Sequence, residues 1–314
     1  MNIPADIDIK ARKRAAAIAY FRMSWQMYLL LVPVLLYYAI FHFGAYSGLL
    51  MAFQNYRIAD GITGSAFVGL KNFKTIFNSS DFYKILRNTI YLNLLNLVLY
   101  FPAPILLALL LNEVRVSWFK RVSQSLMYLP HFFSWVVLGG MIIDILSPNR
   151  GIVNNLLVQV TGQKIFFMAS KFWWPFIFVL STMWKEVGWG SIIYLAAISG
   201  IEVELYEAAV MDGAGRLKQV WHITLPGIKN TIVILFILRM GGVLNVGMEQ
   251  ILMLQNAAVS EIADVISTYT YRMGIQNMQY STTTAIGIFQ SVINMGLLLI
   301  ANWLARRYAE SSII

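Results

Sequence analysis

The stretch 207-EAAVMDGAGRLKQVWHITLP-226 decides the fold, because it is a polar interval between two strongly apolar segments. A short helix is predicted over 201–211. Within it, Leu205, Ala208 and Ala209 fall at helical spacing, which places two small residues on one face. Small residues allow a partner surface to approach closely, and Glu207 supplies a charge for an ion pair.

A turn and a second short helix are predicted after this first helix. Asp212-Gly213 is a turn signal, because glycine adopts a positive φ without steric cost. The second helix is predicted over 216–223, and Leu225-Pro226 ends it. We call residues 201–228 the elbow. Such a helix–glycine–helix unit between two membrane spans presents a protrusion to a partner in the aqueous phase. The alternative is an amphipathic connector that lies on the lipid surface.

The elbow resembles the EAA loop of the membrane subunits of bacterial ABC importers, the binding-protein-dependent sugar permeases. The likeness is carried by Glu207-Ala208-Ala209, Asp212-Gly213-Ala214 and Ile223-x-Leu225-Pro226, where residue types and spacing both match. One departure is visible. The family often has a proline four or five residues after the Leu-Pro pair, where this chain has Asn230 and Thr231. The residues that the resemblance assigns to docking an ATPase subunit are Glu207, Ala208, Ala209, Asp212, Gly213, Ala214, Leu225 and Pro226.

The composition indicates an integral membrane protein. Of the 314 residues, 58% are hydrophobic and 12% are charged, with a mean hydropathy of +0.63, whereas soluble domains carry about a quarter charged residues. The chain has no cysteine, so neither a disulfide framework nor a thiolate metal site is expected. The net charge of +9 is assigned to cytoplasmic lysines and arginines and not to nucleic-acid binding.

Six membrane spans are predicted, because several apolar runs exceed about 18 residues. The predicted spans cover about 25–43, 89–111, 125–146, 172–197, 232–254 and 283–304. The fold class is therefore all-α and polytopic, and the resemblance implies a MetI-like permease core over about 84–305. The predicted domains are a cytoplasmic arm over 1–23, a transmembrane domain over 24–307 and a cytoplasmic tail over 308–314. Basic residues are commoner in the proposed inner segments, which places both termini and the elbow in the cytoplasm. Two prolines, Pro102 and Pro104, predict a kink in the second span.

Further motifs resemble one branch of this family, the LplB-type permeases for aldouronate, rhamnogalacturonan or alginate fragments. They are Trp184-Lys-Glu-Val-Gly-Trp189, Ile192–Ile198 and Ala285–Asn294. The resemblance implies import of an oligosaccharide, with uronate-rich fragments among the candidates. It also implies four kinds of partner besides membrane lipid: a second homologous permease subunit, two ATP-binding cassette subunits, an extracytoplasmic solute-binding protein and the oligosaccharide itself. The implied location is the bacterial cytoplasmic (inner) membrane.

No catalytic signature occurs in the sequence, which has no Walker A loop, HExxH, GxSxG or GxGxxG. The chain is therefore predicted to be a non-catalytic transport subunit without a cofactor or metal, and partner subunits are expected to bind ATP and Mg²⁺. Two alternatives remain open at this point. A stand-alone secondary sugar transporter would need a coupling-ion site and an internal repeat. A membrane-embedded enzyme would need clustered carboxylates or metal ligands.

Polar residues within the spans suggest a translocation pathway, because in hydrocarbon they usually face the interior of a bundle. Gly241, Asn245 and Glu249 recur at helical spacing in the predicted fifth span, and Gln290 and Asn294 do so in the sixth. The alternative is helix–helix packing. The residues predicted to line the pathway are Trp135, Asn245, Glu249, Gln290 and Asn294.

Lys185 and Glu186 lie in the middle of the predicted fourth span. Neighbours in a helix point about 100° apart, so neither is expected to be the other's only partner. They are interpreted as pathway charges or, alternatively, as structural charges paired with Asp144, Glu249 or Arg239. His131 is predicted to be a satisfied polar residue and not a ligand.

Overall fold

The computed structural model describes residues 5–309, and almost all secondary structure in this range is helical. The exception is a short ribbon in which β1 (Gln54–Asn55) pairs antiparallel with β2 (Ala66–Phe67). Residues 1–4 of the predicted arm and 310–314 of the predicted tail lie outside the described residues. The α-helices are α1 (Ala5–Tyr37), α2 (Gly61–Gly64), α3 (Lys71–Phe77), α4 (Ser80–Leu95), α5 (Pro102–Glu113), α6 (Ser117–Tyr128), α7 (Trp135–Leu146), α8 (Ile152–Thr161), α9 (Trp173–Ser199), α10 (Val203–Met211), α11 (Arg216–Gln219), α12 (Leu225–Gly227), α13 (Lys229–Met240), α14 (Met248–Leu254), α15 (Ser260–Ala263), α16 (Ile266–Tyr271) and α17 (Tyr280–Ala309).

Shorter 3₁₀ and π segments join several of these helices. The 3₁₀ segments are Gly44–Phe53, Leu129–Phe132 and Phe167–Ala169, and the π segments are Tyr38–Phe43, Asn96–Tyr100, Val220–Thr224 and Arg272–Gln276.

Three continuous segments are long and apolar enough to cross a membrane: Ala19–Phe53, Ser80–Glu113 and Tyr280–Arg307. Two bent pairs also qualify when each pair is taken as one span. The remaining candidate is α9, whose 27 residues extend about 40 Å at the usual rise per residue. α9 is not among the segments that qualify by length and composition. The described residues thus contain three such spans, or five if each bent pair is one, and the second bent pair shares only 232–240 with the predicted fifth span.

The predicted third span, 125–146, is not a straight helix. α6 is followed by the 3₁₀ turn Leu129–Phe132, and the axis bends by 104° before α7 begins. Pro130 lies in this turn, and the Ser134 hydroxyl caps α7 by accepting a hydrogen bond from the Val137 N–H at 3.4 Å. We call residues 129–134 the bend.

The predicted fifth span, 232–254, is wrong as a continuous helix. α13 ends at Met240, and α14 begins only at Met248. We call residues 241–247 the break. Because helical spacing does not continue across it, the sequence argument that put Asn245 and Glu249 on one helix face does not hold.

The second span passes its two prolines without a large bend. α4 continues into the π segment Asn96–Tyr100, and α5 begins at Pro102. Pro102 lacks an N–H, and at the first position of a helix none is needed. The expected kink therefore takes the form of a π-helical turn just before the first proline.

α9 organises the packing of the described chain along its whole length. At one end, the buried Trp174 donates a hydrogen bond to the Leu254 carbonyl at 2.9 Å, which ties α9 to α14. At the other end, Tyr194 and Ile198 pack in a core cluster with Ile105 of α5. The first span differs, because its most apolar window has 0% of its residues buried within the chain.

Candidate functional site

The elbow is built around a backbone turn at Gly213. The turn closes α10 through hydrogen bonds from the Gly213 N–H to the Val210 carbonyl at 3.0 Å and from the Ala214 N–H to the Ala209 carbonyl at 2.8 Å. Gly213 has a φ of +75°, and a Cβ placed there would meet no atom within 4 Å. The requirement for glycine is therefore conformational, since there is ample space around the turn.

Side-chain contacts hold the two arms of the elbow in a fixed relation. The Tyr206 hydroxyl of α10 shares a hydrogen bond of 3.0 Å with the Thr224 hydroxyl. The Gln219 amide donates to the Ala214 carbonyl at 2.9 Å. At the base, a Cβ on Gly227 would lie only 2.6 Å from Ile201 Cδ1, so the two ends of the elbow are in close contact.

The elbow also contacts the membrane body. The Arg216 guanidinium lies 3.6 Å from the Glu113 carboxylate at the end of α5. Leu225, one of the predicted docking residues, is half-buried against the cluster that contains Ile198 and Ile228. We conclude that Leu225 anchors the elbow to the body.

The outer surface of the elbow is apolar as well as charged. Among the predicted docking residues, Glu207, Ala208, Asp212, Gly213 and Pro226 are exposed, while Ala209 and Ala214 are half-buried. Three large apolar side chains of the elbow are mostly exposed, Met211 at 87%, Leu217 at 72% and Trp221 at 62%. Leu217 and Trp221 line an apolar groove shared with α5, and Met211 adjoins the predicted docking residue Asp212. The sequence analysis did not single out these three side chains.

Two predicted pathway residues hold the break in place. The Asn294 amide oxygen accepts from the Leu244 N–H at 3.1 Å, and the Gln290 amide donates to the Leu244 carbonyl at 2.8 Å. Gln290 also donates to the Asn245 side-chain oxygen at 2.6 Å. Backbone groups that leave a helix within a membrane need new partners, and α17 supplies them here.

The remaining predicted pathway residues have different surroundings. Asn245 and Glu249 are exposed in this chain. Asn245 lies within the break, and Glu249 lies in the first turn of α14, just after it. The next residue, Gln250, is buried. Its side-chain amide donates a hydrogen bond to the Phe178 carbonyl of α9 at 2.8 Å, which holds α14 against α9. Trp135 is half-buried, and its ring lies 5.7 Å from the Lys185 ammonium.

Lys185 and Glu186 hold the bend of the third span. The Lys185 ammonium is 8% exposed and donates to the His131 carbonyl at 2.7 Å and to the Phe133 carbonyl at 2.6 Å. The Glu186 carboxylate lies 2.9 Å from His131 Nδ1. Lys185 and Glu186 are therefore structurally paired, as the alternative interpretation predicted, but the predicted partners are wrong.

Asp144, Glu249 and Arg239 are not the partners of these two charges. Asp144 instead lies 2.8 Å from Arg150. The sequence could not show this, because the carbonyls that Lys185 binds become free only through the bend. His131 is a satisfied polar residue, as predicted, and its ring also stacks on Trp189 with the centroids 4.5 Å apart.

A group of charged residues on the proposed outer side was also missed by the sequence analysis. Asn88 of α4 donates to the carbonyls of Glu261 at 2.8 Å and Asp264 at 3.0 Å, and the Lys171 ammonium contacts the Glu261 carboxylate. This contact lowers the pKa of Glu261 below its usual value. The pKa of Arg272 is raised, chiefly by its hydrogen bond to Asp264. These groups surround a polar cavity of about 360 Å³.

Within the described range, no group of three or more histidine, aspartate or glutamate side chains is arranged to hold a metal ion. The chemistry that the arrangement offers is recognition and movement. It has an exposed elbow for a partner, a bend and a break in two spans, and polar side chains at both.

Comparison with known proteins identifies the family. Residues 84–310 match the family described as binding-protein-dependent transport system inner membrane component. The chain is 43% identical to the polygalacturonan/rhamnogalacturonan transport system permease protein YteP of Bacillus subtilis (strain 168), over 97% of this chain and 95% of that protein. It is also 43% identical to Protein LplB of the same organism, over 93% of this chain and 92% of that protein.

A solved structure gives the same result. One chain of the crystal structure of a bacterial alginate ABC transporter, in complex with alginate pentasaccharide-bound periplasmic protein, superimposes with a TM-score of 0.86 at 39% identity. The match covers 94% of this chain and 99% of that chain. The predicted all-α permease fold is confirmed, and the chain belongs to the family of binding-protein-dependent transport system inner membrane components.

Proposed function

We propose that this chain is one of two permease subunits of an ATP-driven ABC importer and that it passes an oligosaccharide into the cell. The elbow is the observation that carries this proposal. It is an ordered unit with a positive-φ glycine at its turn, and it exposes Glu207, Met211 and Asp212. Because the chain has no nucleotide-binding motif of its own, ATP hydrolysis by a partner subunit must be coupled to it through a docking surface of this kind.

In the proposed mechanism, an ATP-binding cassette subunit docks on the elbow and moves it. α10 follows α9 after a turn of three residues, and α12 leads directly into α13. The Tyr206–Thr224 hydrogen bond joins the two arms. A displacement of the elbow is therefore passed to the fourth and fifth spans together, which is the kind of rigid-body movement that alternating access requires.

The proposed translocation pathway includes the break of the fifth span. A carboxylate that faced lipid would cost a few kcal/mol, and so the exposed Glu249 is expected to face water or another protein chain. Asn245 lies at the same break and offers amide groups to sugar hydroxyls. Gln290 and Asn294 are assigned a positioning role, because they bind the backbone of the break. Trp135 supplies an aromatic face near the bend.

The partners follow from this arrangement. A second, homologous permease subunit completes the pathway, and two ATP-binding cassette subunits bind ATP and Mg²⁺. An extracytoplasmic binding protein delivers the sugar to the outer side, where the ion pairs Lys171–Glu261 and Arg272–Asp264 lie. Both termini and the elbow are placed in the cytoplasm, since basic residues are commoner in the proposed inner segments.

For the substrate we propose an oligosaccharide that contains uronic acids. The support is the identity of 43% to a permease protein named for polygalacturonan and rhamnogalacturonan and of 39% to a chain of an alginate transporter. Polygalacturonan and alginate are both polymers of uronic acids.

The test is transport by the reconstituted complex of both permeases, the ATPase subunits and the binding protein in proteoliposomes. We expect uptake of labelled trigalacturonate that depends on ATP and on the binding protein. Uptake by this chain alone, driven by an ion gradient, would instead show a secondary transporter.

A further inference from the structure

Arg239 is a membrane-embedded cation without an anionic partner in the described part of the chain. It lies in the last turn of α13, about 15 Å along that helix from its cytoplasmic start. Seven ion pairs connect described residues, and Arg239 belongs to none of them. The other deeply placed cation, Lys185, has two carbonyl partners. Arg239 thus differs from the other charge near the centre of the protein.

Part of this charge is balanced by the helix itself. The C-terminal end of a helix carries partial negative charge, which favours a cation in the last turn. The Arg239 guanidinium also lies 5.8 Å from the centroid of the Tyr100 ring, within the range of a cation–π interaction. Neither contact uses the planar fork of N–H donors, and Arg239 is only half-buried. Its exposed part is expected to face water or protein, because lipid contact is costly.

The neighbouring π segment contributes further unused polar groups. Tyr100 ends this segment, and its hydroxyl lies 3.7 Å from the position that a Cβ on Gly190 of α9 would occupy. Asn96 begins the segment and is 4% exposed, yet its side-chain oxygen has no hydrogen-bond partner. π segments within helices are frequent at functional sites. The Arg239 guanidinium and the Tyr100 phenol are therefore in contact just before the break, and Asn96 lies one π turn before Tyr100.

We propose that Arg239 binds the carboxylate of a uronic acid residue while an acidic oligosaccharide crosses the membrane. The guanidinium presents two parallel N–H donors, a geometry that matches both oxygens of a carboxylate. The Tyr100 ring contacts the guanidinium just before the break and limits its movement. This inference rests on the proposed function and names the substrate group that its pathway recognises.

Two carboxylates on neighbouring elements, Glu186 and Glu249, do not pair with Arg239. Glu186 is engaged by His131 at 2.9 Å and by Lys185 at 4.0 Å. Glu249 lies beyond the break, at the start of α14, where the helix N-terminus favours a carboxylate. Arg239 therefore remains available to an anion that enters the pathway.

The test compares trigalacturonate with its fully methyl-esterified form, in which each carboxylate is replaced by a neutral methyl ester; each is delivered by loaded binding protein to the reconstituted complex. Uptake is measured per assembled complex and per occupied binding protein. In Arg239→Gln we expect uptake of trigalacturonate to fall about tenfold, as for the loss of one strong charge-assisted contact. Uptake of the ester should change by less than about twofold, since an ester offers no anion.

Two further variants make the result specific. Lys229→Gln removes the same charge from an exposed position at the start of the same helix and should leave the ratio of the two uptake rates unchanged. Arg239→Lys keeps the charge but loses the fork, and we expect an intermediate ratio. If Arg239→Gln assembles poorly, Arg239→Lys decides the question on the complexes that form.

If Arg239→Gln reduces the uptake of both substrates equally, or leaves the uptake of trigalacturonate unchanged, Arg239 does not bind the carboxylate. The proposed function is unaffected by either result. A wild-type complex that imports neither substrate overturns the proposal of a uronic-acid oligosaccharide as substrate, and this inference with it.

Discussion

The Asn294 side-chain oxygen accepts a hydrogen bond from the Leu244 backbone N–H at 3.1 Å. Leu244 is 2% exposed and lies in the break between α13 and α14, where the helix no longer provides a partner for this N–H. The contact joins residues that are 50 positions apart in the sequence. The sixth span thus determines the shape of the fifth.

The first prediction concerns this contact. In Asn294→Leu the Leu244 N–H stays buried without a partner, which should cost about 1–3 kcal/mol of stability. We expect a lower midpoint of thermal unfolding and a smaller yield of assembled complex. Met295→Leu, at the exposed neighbouring position of the same helix, is the control and should retain the wild-type yield. A normal yield of Asn294→Leu with impaired transport per complex would show direct contact with the substrate instead.

The second prediction concerns the turn of the elbow. In Gly213→Val, a β-branched residue would have to adopt a φ of +75°. This conformation costs at least about 1–2 kcal/mol, so the turn is expected to change its backbone conformation instead. We expect the protein to insert normally, while ATP hydrolysis no longer drives uptake.

The matched control for the turn is Gly215→Ala, because Gly215 has a φ of −67° and open space around it. Substrate-stimulated ATPase activity and uptake should both stay near wild type in this control. If both also persist in Gly213→Val, the elbow does not couple the two activities.

The third prediction concerns the bend of the third span. Lys185→Met keeps an unbranched side chain, one atom shorter, but leaves the His131 and Phe133 carbonyls without their donor. Hydrogen bonds to a charged group contribute about 1.5–3 kcal/mol each, so this variant should be markedly less stable. The measurement is the monodisperse fraction after extraction in detergent. Lys164→Met, at an exposed position, should match wild type, and equal behaviour of both variants would contradict the role of Lys185.

The fourth prediction concerns topology. The chain has no native cysteine, so single cysteines report their own position. In intact cells, a membrane-impermeant thiol reagent should label Gln163→Cys but should not label Gly215→Cys or Ser312→Cys until the membrane is opened. Labelling of either protected position in sealed cells would refute the cytoplasmic location of the elbow or of the C-terminus.

The permease fold and the elbow could be predicted because their signals are local. Apolar runs mark most of the spans, and the elbow carries its own turn signal in Gly213. The predicted helical spacing of Asn245 and Glu249 was misleading, because the break interrupts the helix between Met240 and Met248. Gly241-Gly242 and Gly247 lie in this interval and are the signal that could have marked the break.

The sequence by itself determined the class of protein, the approximate course of the six spans and the form of the elbow, because these depend on apolar length and on residues close together in the chain. The tertiary structure alone decided where the fifth span departs from helical geometry, and which side chains bind the backbone at the bend and at the break. Lys185 and Asn294 satisfy carbonyl and N–H groups that lie about 50 residues away. Their roles emerge only when distant spans pack together, because in lipid a polar backbone group must find its partner within the protein.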